Sequence, residues 1–450
     1  MGRLFGTNGV RGVVNEGMSA QLALDVGRAI GTFMKGKVAL ATDCRTSADM
    51  LKAAVSAGLT SVGCEVLDLG VQPTPVLQFF VKRREVSGGV MITASHNPPE
   101  FNGIKAIDSD GTEMPREKEE EIESIYFRKA FDTKDWRALG GIRATSRAEV
   151  DYINSILQQV EGEHIAKLKP KVVLDCANGA GSLVSPFLLR RLGARTVTLN
   201  CNPEGTFPGH PSEPTPENLR DLMNLVKESG ADLGVAHDGD ADRAIFVDEK
   251  GEYVYGDRSL ALIASIMVEE NGGGKVVTPV STSQCVEDAV RNAGGEVIYT
   301  KVGAPIVARK MMEVGAVFGG EENGGLIFPR HQFCRDAAMS LAKMLEIITS
   351  KGPLSSLLAK VPCYYLEKRK LPCPDSKKEE VLRGVCQSFA SNRMDCTDGV
   401  KVYFEGGWTL IRPSGTEPIF RVYTEGRDKE TAKRLADKCE MVVKELLDET

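Results

Sequence analysis

Three aspartates alternate in the run His237-Asp238-Gly239-Asp240-Ala241-Asp242-Arg243. On an extended backbone alternate side chains share a face. Three carboxylates on one face repel one another, so the run calls for a hard divalent cation. Three protein oxygens, with a position left open for a phosphate oxygen, suit Mg2+. An EF-hand loop is the tempting alternative, since Glu249 stands twelfth from Asp238, but Arg243 occupies the sixth position, where that loop needs glycine. A haloacid-dehalogenase type of phosphatase would place its aspartates after the first strand of a sheet, whereas this run ends a third. A second stretch raises a matching question. Val90-Met91-Ile92 reads as a buried strand and stops in Thr93-Ala94-Ser95-His96-Asn97-Pro98-Pro99. A serine at a strand end near a metal can be phosphorylated or act as a nucleophile. The prolines keep the loop from curling into a helix. The plainer alternative for Ser95-His96 is a hydroxyl-capped turn. The hydrolase elbow G-x-S-x-G is absent here, and His96 reads as orienting the loop.

Cationic residues flank these loops. Lys105, in Asn102-Gly103-Ile104-Lys105, would serve as a general acid/base near a cation and a phosphate if its pKa were lowered; a solvated surface lysine is the alternative. Arg11 sits in the glycine-rich turn GTNGVRG, suited to bringing a guanidinium against a phosphate. Near the other end, RPSGTEP combines Arg412, Ser414, Gly415 and Thr416. A guanidinium, two hydroxyls and exposed N–H groups at a glycine make a phosphate cradle. No Walker A loop occurs, so ATP is not indicated.

These residues need elements to hold them. Three segments open alike, with KVALATD from Lys37, KVVLDCA from Lys171 and KVVTPVS from Lys275. Each β-branched run reads as a buried strand. Each leads through a polar loop into a helical stretch closed by glycine, then a second strand. Repeated strand–helix–strand units imply parallel sheets with right-handed crossovers. A third strand in each unit, GGVMITA, ADLGVAH and GAVFGG, delivers the Ser95 loop, the aspartate run and Glu321-Glu322-Asn323-Gly324-Gly325 in turn. Ligands of such sheets bind outside the strands' carboxyl ends, so the three loops would line one shared cleft. The tail reads as strand, Gly-Gly turn, strand, loop, strand and amphipathic helix, a small α+β unit. The acidic-basic stretch PREKEEEIESIYFRKAFDTKDW reads as a solvated helix face. The fold expected is α/β, with three similar mixed α/β domains around a central cleft plus a smaller C-terminal α+β domain. Boundaries fall at 1–149, 150–250, 251–361 and 362–450.

Bulk properties remove other classes. A chain of 450 residues is too long for one core. A net charge of −6 argues against a general nucleic-acid binder. No apolar run reaches spanning length, and the opening MGRLFGTNGVRG has neither a signal-peptide core nor the myristoylation pattern, so no membrane partner is expected. Eleven cysteines without a C-x-x-C pair read as reduced thiols in a cytoplasm.

Taken together, TASHNP, DGDADR, GEENGG and RPSGTEP, in that order, resemble the α-D-phosphohexomutase superfamily. The FGTNGVRG opening and GEENGGLIFP look most like its archaeal phosphoglucosamine mutase and phosphomannomutase branch. The resemblance implies a phosphoserine at Ser95 and Mg2+ on Asp238, Asp240 and Asp242, with Arg243 beside the phosphoserine. It implies sugar contacts from Glu321 and Asn323, and a second phosphate on Arg412, Ser414, Gly415 and Thr416. The implied reaction interconverts hexose 6- and 1-phosphates through a hexose 1,6-bisphosphate, which also serves as activator. Glucosamine is the favoured sugar, with mannose or glucose as alternatives, and a homodimer would fit. The rivals are a phosphatase and a non-catalytic sugar-phosphate sensor. One departure stands out: related sugar loops often end in a histidine that is a candidate acid/base, and here that position is Gly325. Lys105, Arg11 and His331 remain as candidates, with Lys105 preferred.

Overall fold

The computed structural model describes residues 4–6, 9–414 and 418–449. In the first sheet the parallel strands Glu65–Val71, Lys37–Thr42 and Gly88–Ile92 lie side by side. The second sheet repeats that order with Arg195–Leu199, Lys171–Asp175 and Leu233–His237, and the third with Gly295–Thr300, Gly274–Pro279 and Phe318–Gly320. Parallel pairing holds that far. In each unit the chain then leaves the third strand through its polar loop and returns antiparallel, as Phe101–Ile107, Ala244–Val247 and Leu326–Ile327. The loops are therefore pinned on both sides by strand pairing. The second sheet also takes in Tyr253–Val254, past the boundary expected at 250.

The helices follow the apolar stretches, with one break. The expected helix over 181–193 is a short 3-10 turn, Ala180–Leu183, followed by Ser185–Arg191. Pro186 lies in the first turn of the second piece, where its missing N–H costs nothing. The acidic helix Arg116–Arg128 departs from a simple solvated face. Glu123 is buried and accepts the Leu4 and Phe5 N–H groups (2.7 and 2.8 Å), and Arg116 steadies it (2.6 Å).

One helix ties the second and third units together. Ala337–Lys351 is apolar almost all round and buried along nearly its whole length, as such a pattern requires. It packs on Ala148–Leu157, Gly162–Leu168 and Ser185–Arg191. Asp336 caps it by accepting the Met339 N–H (2.9 Å), and Tyr152 and Gln332 donate to the same carboxylate. The fourth unit is an antiparallel sheet, Tyr365–Pro372, Ile419–Gly426, Gly407–Pro413, Val400–Phe404 and Met394–Asp395. The helices Lys378–Ser388 and Lys429–Glu449 pack with it around a core of its own. It docks on the third unit, where Trp408 and Leu410 pack on Val280 and the Lys401 ammonium donates to Val280 O (2.8 Å). No described helix is long and apolar enough to cross a membrane.

Candidate active site

Ser95 sits where the first and second units meet. Its backbone is in the left-handed region (φ 52°), a conformation that needs support from its surroundings. That support comes from below. The Ser95 N–H donates to Thr93 Oγ1 (2.8 Å), and the Thr93 hydroxyl donates to Asp43 (2.6 Å). Arg45 pairs with the same carboxylate (3.1 Å) and donates to the carbonyls of Ser95, Asn97, Pro98 and Phe101 (2.6–2.9 Å). The second unit approaches closely enough that a Cβ on Gly239 would lie 2.5 Å from Ser95 O. Glycine there lets the two loops touch.

The Ser95 hydroxyl donates to Asp238 Oδ2 (2.8 Å), and the His96 ring nitrogen Nδ1 lies 3.3 Å from Ser95 Oγ. Burial, and then the charges of Arg243 and Arg11, push His96 down to about 2, so its ring is neutral. Asp238, Asp240 and Asp242 are all buried and can each turn one oxygen to within 4.8 Å of the others. Their outer oxygens are taken. Asp240 Oδ2 accepts Thr74 (2.6 Å) and Lys105 (2.9 Å), and Asp242 Oδ2 accepts Arg335. Asp240 Oδ1 and Asp242 Oδ1 are buried with no hydrogen-bond partner. Buried carboxylate oxygens left without a hydrogen bond are costly, so the pair marks a place for a cation. The donor set is all hard oxygen, so it fits Mg2+.

The electrostatics divide the trio. Burial, with the charges of Asp242 and Asp240, raises Asp238 well above the usual carboxylate range. Burial works against the Asp240 carboxylate too, but Lys105, with hydrogen bonds from Thr74 and Lys105, holds it well below that range. Lys105 is therefore no surface lysine: it is 1% exposed and also lies 3.8 Å from Asp242. Arg11 donates to Ala94 O (3.2 Å) and Asn97 Oδ1 (2.8 Å), and burial lowers its pKa. The Arg243 Nε lies 3.9 Å from Asp238 and 3.7 Å from Asp242.

Glu321 joins this cluster through Arg335, which donates to its Oε2 (2.9 Å). Asn323 turns its side-chain oxygen back to the Gly325 N–H (3.0 Å). His331 is removed as an acid/base candidate. It is 1% exposed, stacked on Phe79 and set against Ser155 and Asp336, in the packing between units. Arg412 and Ser414 form a separate place on the fourth unit. Arg412 pairs with Asp398 (2.6 Å), whose carboxylate also accepts the Val302 N–H of the third unit (3.0 Å). The carbonyl of Ser414 accepts Lys378 (2.6 Å). Gly415 and Thr416 lie outside the described residues. Sequence reasoning missed Thr74, Arg45 and Arg335. None of them belongs to the four motifs that marked the other loops.

Comparison with known proteins covers the whole chain. Models of phosphoglucomutase/phosphomannomutase α/β/α domains I, II and III match residues 2–133, 150–251 and 255–364, and the C-terminal domain model matches 369–440. A probable phosphoglucosamine mutase of Methanopyrus kandleri is 44% identical, covering 100% of this chain and 99% of that one. A phosphoglucomutase/phosphomannomutase of Thermococcus kodakarensis is 43% identical, covering 96% of each. Among solved structures, a phosphoglucomutase/phosphomannomutase family protein of Burkholderia thailandensis superposes with a TM-score of 0.88 at 27% identity. That match covers 98% of this chain and 97% of that one.

Proposed function

The chain belongs to the phosphoglucomutase/phosphomannomutase family, and we propose on that footing that it moves a phosphoryl group between the 6- and 1-oxygens of a hexose. The observation that carries the reading is the Ser95 hydroxyl held 2.8 Å from Asp238 beside two unpartnered carboxylate oxygens. A nucleophile on a supported loop thus adjoins a ready cation site. Phospho-Ser95 gives its group to the free sugar hydroxyl: the serine P–O bond breaks and a sugar O–P bond forms. The hexose 1,6-bisphosphate then turns over, and its original phosphate returns to Ser95. Lys105 would take the hydroxyl proton as the neutral amine and return it from the ammonium, and Arg11 and Arg243 would steady the phosphoryl oxygens. Asp238, Asp240 and Asp242 would hold Mg2+, which supplies charge neutralisation for the transferring group. Glu321 and Asn323 would grip sugar hydroxyls common to both orientations. Arg412 and Ser414, with Gly415 and Thr416, would hold the phosphate that is not moving.

The substrate we favour is glucosamine 6-phosphate, in keeping with the name of the Methanopyrus relative. The test is peptide mass spectrometry for one phosphoryl group on Ser95, then phosphorus NMR of glucosamine, mannose and glucose 6-phosphates with Mg2+. Interconversion that Ser95→Ala abolishes and chelation stops supports the reading. If Ser95 never carries phosphate, even after hexose bisphosphate is supplied, the mutase mechanism is wrong. Sustained release of inorganic phosphate would make the protein a phosphatase instead.

A further inference from the structure

One buried side chain touches both halves of the proposed site. Arg335 immediately precedes the cap of the helix Ala337–Lys351 and is 6% exposed. Its backbone has no freedom to wander. The Asp336 N–H donates to Leu326 O (3.0 Å), just after the sugar loop, and the Ala337 N–H reaches Ala241 O (3.4 Å), inside the aspartate run. From there one guanidinium nitrogen, Nη1, donates to Glu321 Oε2 (2.9 Å) and the other, Nη2, to Asp242 Oδ2. Burial opposes its charge, but Asp242 and Glu321 outweigh burial and raise its pKa, so it stays a cation and carries no proton chemistry. The position is also sterically reserved. A Cβ on residue 325 would lie 2.3 Å from Arg335 Cδ and 2.9 Å from its Cγ, and those are mid-chain atoms that cannot swing aside alone. The sugar loop carries glycine at 325 so that this arginine can pass.

We propose that Arg335 is a positioning residue that couples the metal-binding carboxylates to the sugar-binding loop; the inference rests on the function proposed above. The guanidinium is a rigid fork, so its two bonds set the distance between Asp242 and Glu321. A cation bound at Asp242 Oδ1 draws charge from that carboxylate and leaves Oδ2 a weaker acceptor. Arg335 then leans on Glu321 and fixes it for sugar hydroxyls. By linkage, sugar engaged at Glu321 must in turn favour the cation.

The experiment is Mn2+ titration by calorimetry on the full chain, dephosphorylated at Ser95, alone, with inorganic phosphate and with glucosamine 6-phosphate. The phosphate arm removes any effect of a phosphate reaching the metal directly. In the wild type, glucosamine 6-phosphate should tighten Mn2+ about fivefold or more beyond inorganic phosphate. Arg335→Met should lose the sugar-dependent gain, whatever its affinity for Mn2+ alone. Gly325→Ala keeps the guanidinium but crowds it, and should lose the gain as well, so the result does not hang on one variant folding. A sugar-dependent gain that survives in either folded variant overturns the proposal. So does a wild type that binds Mn2+ with no such gain, which leaves the metal reading standing. A wild type that binds no Mn2+ at all brings down both.

Discussion

Replacing Arg45 by methionine tests the support of the Ser95 loop directly. The guanidinium is 2% exposed, and its five side-chain bonds go to Asp43 and to the carbonyls of Ser95, Asn97, Pro98 and Phe101. Its face lies on the Phe207 ring of the second unit, 5.0 Å from the ring centre. Methionine is of similar length and keeps the apolar contact, so the change isolates the polar one. Breaking a buried pair by removing one partner costs about 3–5 kcal/mol. The carbonyls that lose their donors add to this, by about 1 kcal/mol each where water cannot follow. Asp43 offers partial relief. Burial already raises its pKa despite Arg45, and without the guanidinium it will take up a proton. A net loss of about 4 kcal/mol corresponds to a fall of roughly 8–16 °C in the melting of a domain this size. Because the chain has several units, the melt should be followed by calorimetry together with hydrogen exchange on peptides covering residues 93–107. Those peptides should lose protection. Phosphoryl uptake by Ser95 from glucose 1,6-bisphosphate should slow by about a hundredfold, since the positive φ at Ser95 loses its support. A melting shift under about 3 °C, the equivalent of roughly 1 kcal/mol, with unchanged exchange would refute the reasoning.

Further outcomes are open to measurement. Thr74→Val removes the hydroxyl that donates to Asp240 Oδ2 (2.6 Å) and should weaken Mg2+ by about tenfold in calorimetry. Lys105→Met deletes the proposed proton carrier, and turnover followed by phosphorus NMR should fall by about a hundredfold or more; undiminished turnover would move that role elsewhere. Asp257, in the third unit where it meets the fourth, is pushed up to about 8 by burial and then by the Glu322 charge. Its folded value thus exceeds its unfolded one, so the fold keeps a proton that the open chain has lost. Stability should fall as pH rises from about 4 to 8, and Asp257→Asn should flatten that slope in melts across the range.

What the sequence makes legible is whatever is local. Strands such as Lys37–Thr42 and Lys171–Asp175 announce themselves by β-branched runs, and the polar loops by their abrupt change of chemistry. Tyr365–Pro372 does not, because Glu367, Lys368, Arg369 and Lys370 give it the composition of a loop. It is the outermost strand of its sheet, where charged side chains discourage further pairing. The same division runs through the site. Ser95, Lys105 and the aspartates lie in dense motifs, so their types and spacing point to chemistry. Thr74 and Arg335 belong to no recognisable motif and meet the aspartates only once separate units pack. Their partners lie 166 and 93 residues away along the chain, beyond the reach of any spacing rule.

The balance of charge around Ser95 gives the arrangement its logic. The cleft sets Arg11, Lys105, Arg243 and Arg335 against Asp238, Asp240, Asp242 and Glu321, four cations against four carboxylates, most of them buried. Such a set is neutral only while Ser95 is a plain hydroxyl. A phosphoserine adds a charge of roughly −1.5 to −2, which alone would leave a buried excess beside Asp238. A divalent cation alone would leave the opposite excess. The two cancel when they enter together, and the oxygens of Asp240 and Asp242 that accept no hydrogen bond would receive the cation. The raised pKa of Asp238 fits the same account. It faces the serine rather than the lysine, with Arg243 3.9 Å away, so burial and the charges of Asp242 and Asp240 press on it most, and a cation would relieve it. The fold is thus built around a pair of charges that the chain itself does not carry.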